Sequence, residues 1–246
     1  MRTAKIVCVL GLSMVWAPAA WAQQAAAVPE GLSGSASFGF SLTQGNTDTL
    51  NIALTNDSIY DPKTKNVMRW SVLYLRGKQN DVLSVNRVAT MFRDEYTVNG
   101  RTFVFAQFDW LHDTFKGVDY LIAPTAGIGY KVIETKITTF EVNGGVGGVL
   151  EKDTGFPALA SGAVTFGERF LYQLTDTTTL KEAVTGLVKT NDLADGLYTF
   201  AVGVSAKLNS RLQFSVDMLD TFKNHPVPGL THKHDLSVIT SVVAKY

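Results

Sequence analysis

The stretch Ser33-Gly34-Ser35-Ala36-Ser37-Phe38-Gly39-Phe40-Ser41-Leu42-Thr43 decides how the rest of the chain reads. Ala36, Phe38, Phe40 and Leu42 share one side of a period of two, and serine, glycine and threonine fill the other. Only an extended strand sends successive side chains to opposite faces in this way. Working outward, Gln44-Gly45-Asn46 is a turn signal. Leu50, Ile52 and Leu54 then alternate with Asn51, Ala53 and Thr55 until Asp61-Pro62-Lys63 breaks the run. Met68, Trp70, Val72 and Tyr74 next alternate with Arg69, Ser71, Leu73 and Leu75.

The same period predicts strands near 84–98, 101–114, 118–133, 137–150, 158–173, 179–190, 196–208, 211–223 and 233–246. The glycine-rich run 143–148 is the weakest part of this pattern. Asn99-Gly100 is a strong hairpin signal, and Glu134-Thr135-Lys136, Thr175-Asp176-Thr177 and Asn209-Ser210 make further short turns. Connections at 78–83, 151–157 and 224–232 read as longer. Short turns alternating with longer loops are the asymmetry of outer-membrane barrels.

The first residues set the compartment. Arg2 and Lys5 precede an apolar run from Ile6 to Trp16, and Ala20-Trp21-Ala22 supplies a small-x-small cleavage pattern. A signal peptide over 1–22 is expected, followed by a short periplasmic segment over 23–31 and a barrel over 32–246. The competing reading, a retained anchor helix, suffers from the short run and from Pro18. Cleavage leaves 224 residues without the lone Cys8, which excludes disulfides and thiolate zinc sites. It also leaves 20 basic against 22 acidic residues, a balance that argues against a nucleic-acid partner. Past residue 22 no apolar run approaches the roughly 20 residues of a spanning helix, so a membrane protein of this composition has to be a barrel.

Twelve strands in 224 residues allow about 19 residues per strand and connection, enough for the 9–11 residues that cross a bilayer. Tyr60, Tyr96, Tyr130, Tyr172 and Tyr246 close alternate strands and would lie at one membrane interface. Trp110, Phe115, Tyr120, Tyr198 and Phe222 would populate the other. Val238, Thr240, Val242, Ala244 and Tyr246 alternate to a terminal aromatic, the kind of ending that outer-membrane barrels present to their assembly machinery. The expected fold is therefore all-β: an antiparallel up-and-down transmembrane β-barrel of twelve strands. A soluble barrel shares the alternation, and the Gly/Ser/Thr-rich polar face and the tyrosine spacing favour the membrane form.

At Gly31-Leu32-Ser33-Gly34-Ser35-Ala36-Ser37-Phe38-Gly39-Phe40 and Thr43-Gln44-Gly45-Asn46-Thr47-Asp48-Thr49, the chain resembles the salt-induced outer-membrane protein family. The likeness extends more loosely to Arg93-x-Glu95-Tyr96 and the rest of the mature region. It implies an outer-membrane barrel of this size, with no established activity, catalytic residue or cofactor.

The register points Arg69, Arg87, Arg93, Glu95, Asp109, Lys131, Glu141, Arg169, Lys189, Lys207 and Asp217 into the lumen. A charge facing hydrocarbon costs about 2–4 kcal/mol at the midplane, so inward is the expected direction. Two outcomes stay open: an electrostatic lining that selects solutes, or ion pairs that plug the barrel. Asp94, Glu168 and Glu182 fall on the outward face near the short turns, unless a bulge shifts the register there. Among histidines, His225, His232 and His234 with Asp235 could hold a divalent ion, although a solvated loop explains them as well. His112-Asp113 could act in a hydrolase at the rim, but no Ser-His-acid set can be assembled. The expectation is a non-enzymatic narrow channel or envelope-stress structural protein, with outer-membrane lipid and the assembly machinery as partners. The alternatives are a barrel hydrolase and a soluble periplasmic ligand-binding barrel.

Overall fold

The structure, a computed structural model, describes residues 30–43, 49–79, 81–114, 116–226 and 233–246. It consists of β1 (Gly31–Thr43), β2 (Thr49–Asp61), β3 (Asn66–Gln79), β4 (Val82–Thr97), β5 (Thr102–Asp113) and β6 (Val118–Glu134). These are followed by β7 (Thr138–Asp153), β8 (Leu159–Gln173), β9 (Thr178–Lys189), β10 (Gly196–Lys207), β11 (Leu212–Lys223) and β12 (His234–Lys245). Each strand pairs antiparallel with its chain neighbours, and β12 returns to β1, closing a twelve-stranded barrel as the alternation predicts. The signal-peptide region and most of the segment at 23–31 lie outside the described residues, as do Phe115 and His232.

The outward face is mostly apolar. Phe38 and Phe40 are more than half exposed, at 53 and 54 %, and Val238 reaches 69 %. In water such a surface would be an extended sticky patch; against hydrocarbon it is the required one. Asp94, Glu168 and Glu182 also face out, and the ladders are continuous there, so no bulge turns them inward. Register shifts occur instead at Gly77/Lys78, Leu111/Asp113, Val118/Tyr120 and Lys131/Ile133.

One end of the barrel, the turn end, carries five connections of three or four residues after β2, β4, β6, β8 and β10. Each is tied by a side-chain oxygen that accepts backbone N–H groups two or three residues on. Asp61 accepts from Lys63, Asn99 from Arg101 and Thr102, and Thr135 from Ile137 and Thr138. Thr175 accepts from Thr177 and Thr178, and Asn209 from Arg211 and Leu212. Asn99-Gly100 is therefore no two-residue primed turn, and neither residue has positive φ.

At the opposite, loop end, two expected long connections are shorter. β3 runs to Gln79 and β4 starts at Val82, with Asp81 at φ 61° making the reversal. The bulge at Gly77/Lys78 carries the strand through a segment whose polarity reads as loop. Likewise Glu151 and Asp153 belong to β7. The glycine-rich run sits inside β7 because Gly145, with Gly127 and Gly129 on β6, makes room for the inward rings of Phe103 and Phe105.

The seam between β1 and β12 has five paired residues, Ser35↔Lys245 to Gly39↔Ser241, against thirteen between β1 and β2. Beyond it, Gly34 and Tyr246 exchange two backbone hydrogen bonds of 3.1 Å. The Tyr246 ring lies over Gly34, where any Cβ would come within 2.8 Å of it. Its hydroxyl crosses β1 to meet Ser58 Oγ at 2.5 Å and Asn56 Nδ2 at 3.1 Å on β2.

Candidate functional site

The lumen holds the chain's concentrated chemistry, arranged in two charged layers and one open wall. In the half toward the turn end, Arg69 on β3 donates from Nε to Glu95 Oε2 on β4 at 3.0 Å. Arg93 Nε sits 2.9 Å from Glu95 Oε1. Glu95 also attracts Arg169 from β8, four strands around the wall, with 3.8 Å between Oε1 and Nη2. Arg169 in turn bonds Glu141 on β7. Arg93 donates to Gln107 at 3.0 Å, and Gln107 to Asp109 at 2.7 Å. The Arg93 guanidinium lies over the Phe105 ring, 3.7 Å from its centroid, a desolvated cation–π contact.

The second layer caps the loop end. Lys223 on β11 reaches across to Glu151 at 2.8 Å and Asp153 at 2.9 Å on β7, again four strands away. Lys189 on β9 also bonds Glu151 and meets Asp195 at 2.6 Å. Arg87 on β4 donates to Thr221 on β11, five strands away by the shorter route, and lies 3.6 Å from Asp113. Lys116, fully buried, reaches Asp235 at 2.9 Å and the Lys233 carbonyl at 2.6 Å. Leu111, Val118, Leu121, Ala123, Val149 and Ala163 pack beneath this layer. Among the described residues the loop end is thus crossed by side chains from β4, β7 and β11, and Lys223 is only 2 % exposed.

The remaining wall, β1–β3 with β9–β12, differs in kind. Its inward positions carry small hydroxyls such as Ser35, Ser37, Thr55 and Ser71. Here Asp57, Lys181 and Thr185 point inward and remain exposed to solvent. Lys181 lies 3.4 Å from Asp217, which also accepts from Ser215 at 2.6 Å. The lumen thus keeps accessible polar surface here, between hydroxyls and opposed charges.

Every charged residue read as lumenal points inward, but they are not one site. Arg69, Arg93, Glu95, Asp109, Glu141 and Arg169 form the inner layer, and Arg87 and Lys189 the cap. Asp217 belongs to the open wall. Lys131 pairs with Glu134, and Lys207 donates to the Asp176 carbonyl, both at the turn end. Sequence reading missed Asp57, Lys116, Glu151, Lys181 and Lys223. Glu151 and Lys116 fall where polarity reads as loop; Asp57 and Lys181 carry the inward parity of their strands, and that signal was available.

Tyr60, Tyr96, Tyr130 and Tyr246 project outward near the turn end, 42–56 % exposed, with Tyr172 on the same face. Outward at the loop end are Trp110, Tyr120, Tyr198 and Phe222. The histidines do not converge. His112 faces out and Asp113 in, because neighbours on a strand take opposite faces, so they form no dyad. His225 pairs with Asp192 at 3.2 Å and His234 with Asp220 at 2.9 Å, while Asp235 points inward to Lys116. No group of three or more metal-ligating side chains gathers among the described residues.

A family described as a protein of unknown function, DUF481, matches residues 36–246. No curated protein matches the chain. Among solved structures it is similar to the NanC porin, at TM-score 0.54 and 10% identity over 87% of this chain and 99% of that one. The translocator domain of the autotransporter NalP from Neisseria meningitidis gives TM-score 0.51 at 11% identity, covering 90% of each chain. The COG4313 outer membrane channel from Pseudomonas putida F1 gives 0.51 at 12% identity, over 89% of this chain and 97% of that one. At such identities the likeness is one of fold.

Proposed function

Because the chain belongs to the DUF481 family, a family described only as of unknown function, we propose its function from the lumen: a narrow, non-enzymatic channel for small hydrophilic solutes. Its setting is the bacterial outer membrane, with the turn end periplasmic and the loop end outside. The carrying observation is the solvent-reached polar passage in which Asp57, Lys181 and Thr185 point inward and stay exposed. The apolar outward face and tyrosine belt support the membrane setting, and the porin and channel titles of the structural relatives agree with it. Outer-membrane lipid and, during biogenesis, the barrel assembly machinery are the partners this reading implies, and no cofactor is required. A rim hydrolase is disfavoured because both His112 ring nitrogens are engaged, with the Asp119 carbonyl and the Asn86 amide.

Single-channel recording of the refolded protein in a planar bilayer tests the proposal. The wild type is expected to give small, brief openings, since the Lys223 and Arg87 bridges cross the loop end. Lys223→Ala combined with Arg87→Ala should lengthen them. Silence from both proteins overturns the channel.

Those same bridges favour a second reading, a closed structural barrel of the stressed envelope. Membership of a salt-induced group belongs with it, and predicts that the protein becomes more abundant in cells grown at high salt. Unchanged abundance removes that reading.

A further inference from the structure

Outside the lumen, the outward face at the loop end divides into two arcs. From β8 to β12 it is aromatic: Phe166, Tyr198, Phe222 and His234 run ring to ring with centroids 6.2, 5.8 and 4.5 Å apart. From β3 to β7 it carries cations beside Trp110 and Tyr120. Arg76 and Lys78 share the outward face of β3, and Lys152 projects from β7. Arg76 is exposed and lies level with Ile52 and Asn86.

The charges on this arc are unevenly matched. Asp119 is already held by Lys152 at 3.0 Å and by the Thr154 hydroxyl at 2.6 Å. Asp220, on the aromatic arc, is held by His234. His112 is held by the Asp119 carbonyl, 2.8 Å from Nδ1, and by the Asn86 amide, 3.3 Å from Nε2. Arg76 and Lys78 therefore have no carboxylate partner among the described residues. Facing outward beside Tyr74, Leu50 and Leu83, with no carboxylate paired to them among the described residues, these two cations do not suit hydrocarbon. They suit the headgroup zone, where a guanidinium fork and an ammonium bind phosphate oxygens with charge-assisted hydrogen bonds.

We propose that Arg76 and Lys78 form a binding site for the phosphate groups of an anionic lipid in the leaflet at the loop end. The site depends on the lipid-facing exterior stated above, and not on conduction through the lumen.

The test uses the full barrel in nanodiscs of phosphatidylcholine containing either bisphosphorylated lipid A or the same lipid stripped of its phosphates. Lipid retained after extraction is counted by native mass spectrometry. The wild type should prefer the phosphorylated lipid on the order of tenfold, the scale set by two interfacial cations. Arg76→Gln with Lys78→Gln should abolish the preference, and Lys78→Gln alone should leave an intermediate one. Equal retention of the two lipids, a preference unchanged in the double variant, or displacement by inorganic phosphate at matched concentration would each overturn the site. Heat-modifiable gel migration of the same samples separates the causes. A wild type that never enters the nanodisc refutes the lipid-facing exterior itself, and the site with it.

Discussion

Tyr246 shows how much one side chain can join. Its ring occupies the space that a Cβ on Gly34 would take, and its hydroxyl ties β12 to β2 across β1. Tyr246→Phe keeps the ring and should cost about 0.5–1.5 kcal/mol, the usual net worth of a hydrogen bond. Gly34→Val should cost more, because the ring must leave; denaturant unfolding in detergent checks both. Inside the wall, Gly129→Val would strike the Phe103 ring, and overpacking of that kind typically costs about 1–3 kcal/mol in the same measurement. The sequence shows a terminal aromatic and several glycines, and alternation alone assigns each to a face. Which glycine meets which ring depends on the β5–β6 and β6–β7 registers, and no local pattern carries those.

At the scale of the element, the strands were legible and their ends were not. Period two persists across all twelve because one face turns outward and the other to the lumen. The turn-end connections could be read from Asp61, Asn99, Thr135, Thr175 and Asn209, whose side-chain oxygens fold back onto the chain. Asn99→Ala should therefore destabilise the barrel by about 1 kcal/mol, a shift readable in the midpoint of urea unfolding. Gly77-Lys78-Gln79 misleads because a bulge lets a polar segment remain in a ladder. The inward end of β11 illustrates the other gap. Lys223 and Thr221 look like an ordinary strand terminus, and only closure of the cylinder brings β4 and β7 to face them. Lys223→Met leaves Lys189 as the one cation on Glu151 among the described residues, and losing one member of a buried pair costs up to about 3–5 kcal/mol. Its thermal unfolding temperature should fall accordingly.

Taken whole, the molecule is a cylinder whose two charged layers differ in reach. The inner layer gathers around Glu95, and the cap spans the mouth through Lys223 and Arg87. A closed barrel of this kind should migrate faster on a gel unheated than boiled; identical migration would mean that no closed cylinder forms. Buried pairs are screened little by added salt, so moderate ionic strength should leave that migration unchanged. The seam has a consequence of its own. With five ladder pairs and the Gly34–Tyr246 pair where β1 and β2 share thirteen, it is the joint with the fewest rungs among the described residues. Local opening follows the least-supported ladder, so the amide protons of Ala36, Phe38, Val242 and Ala244, which face across the seam, should trade for deuterium sooner than those of β2. The cylinder would then part sideways along that joint, leaving the bridges across its loop end in place.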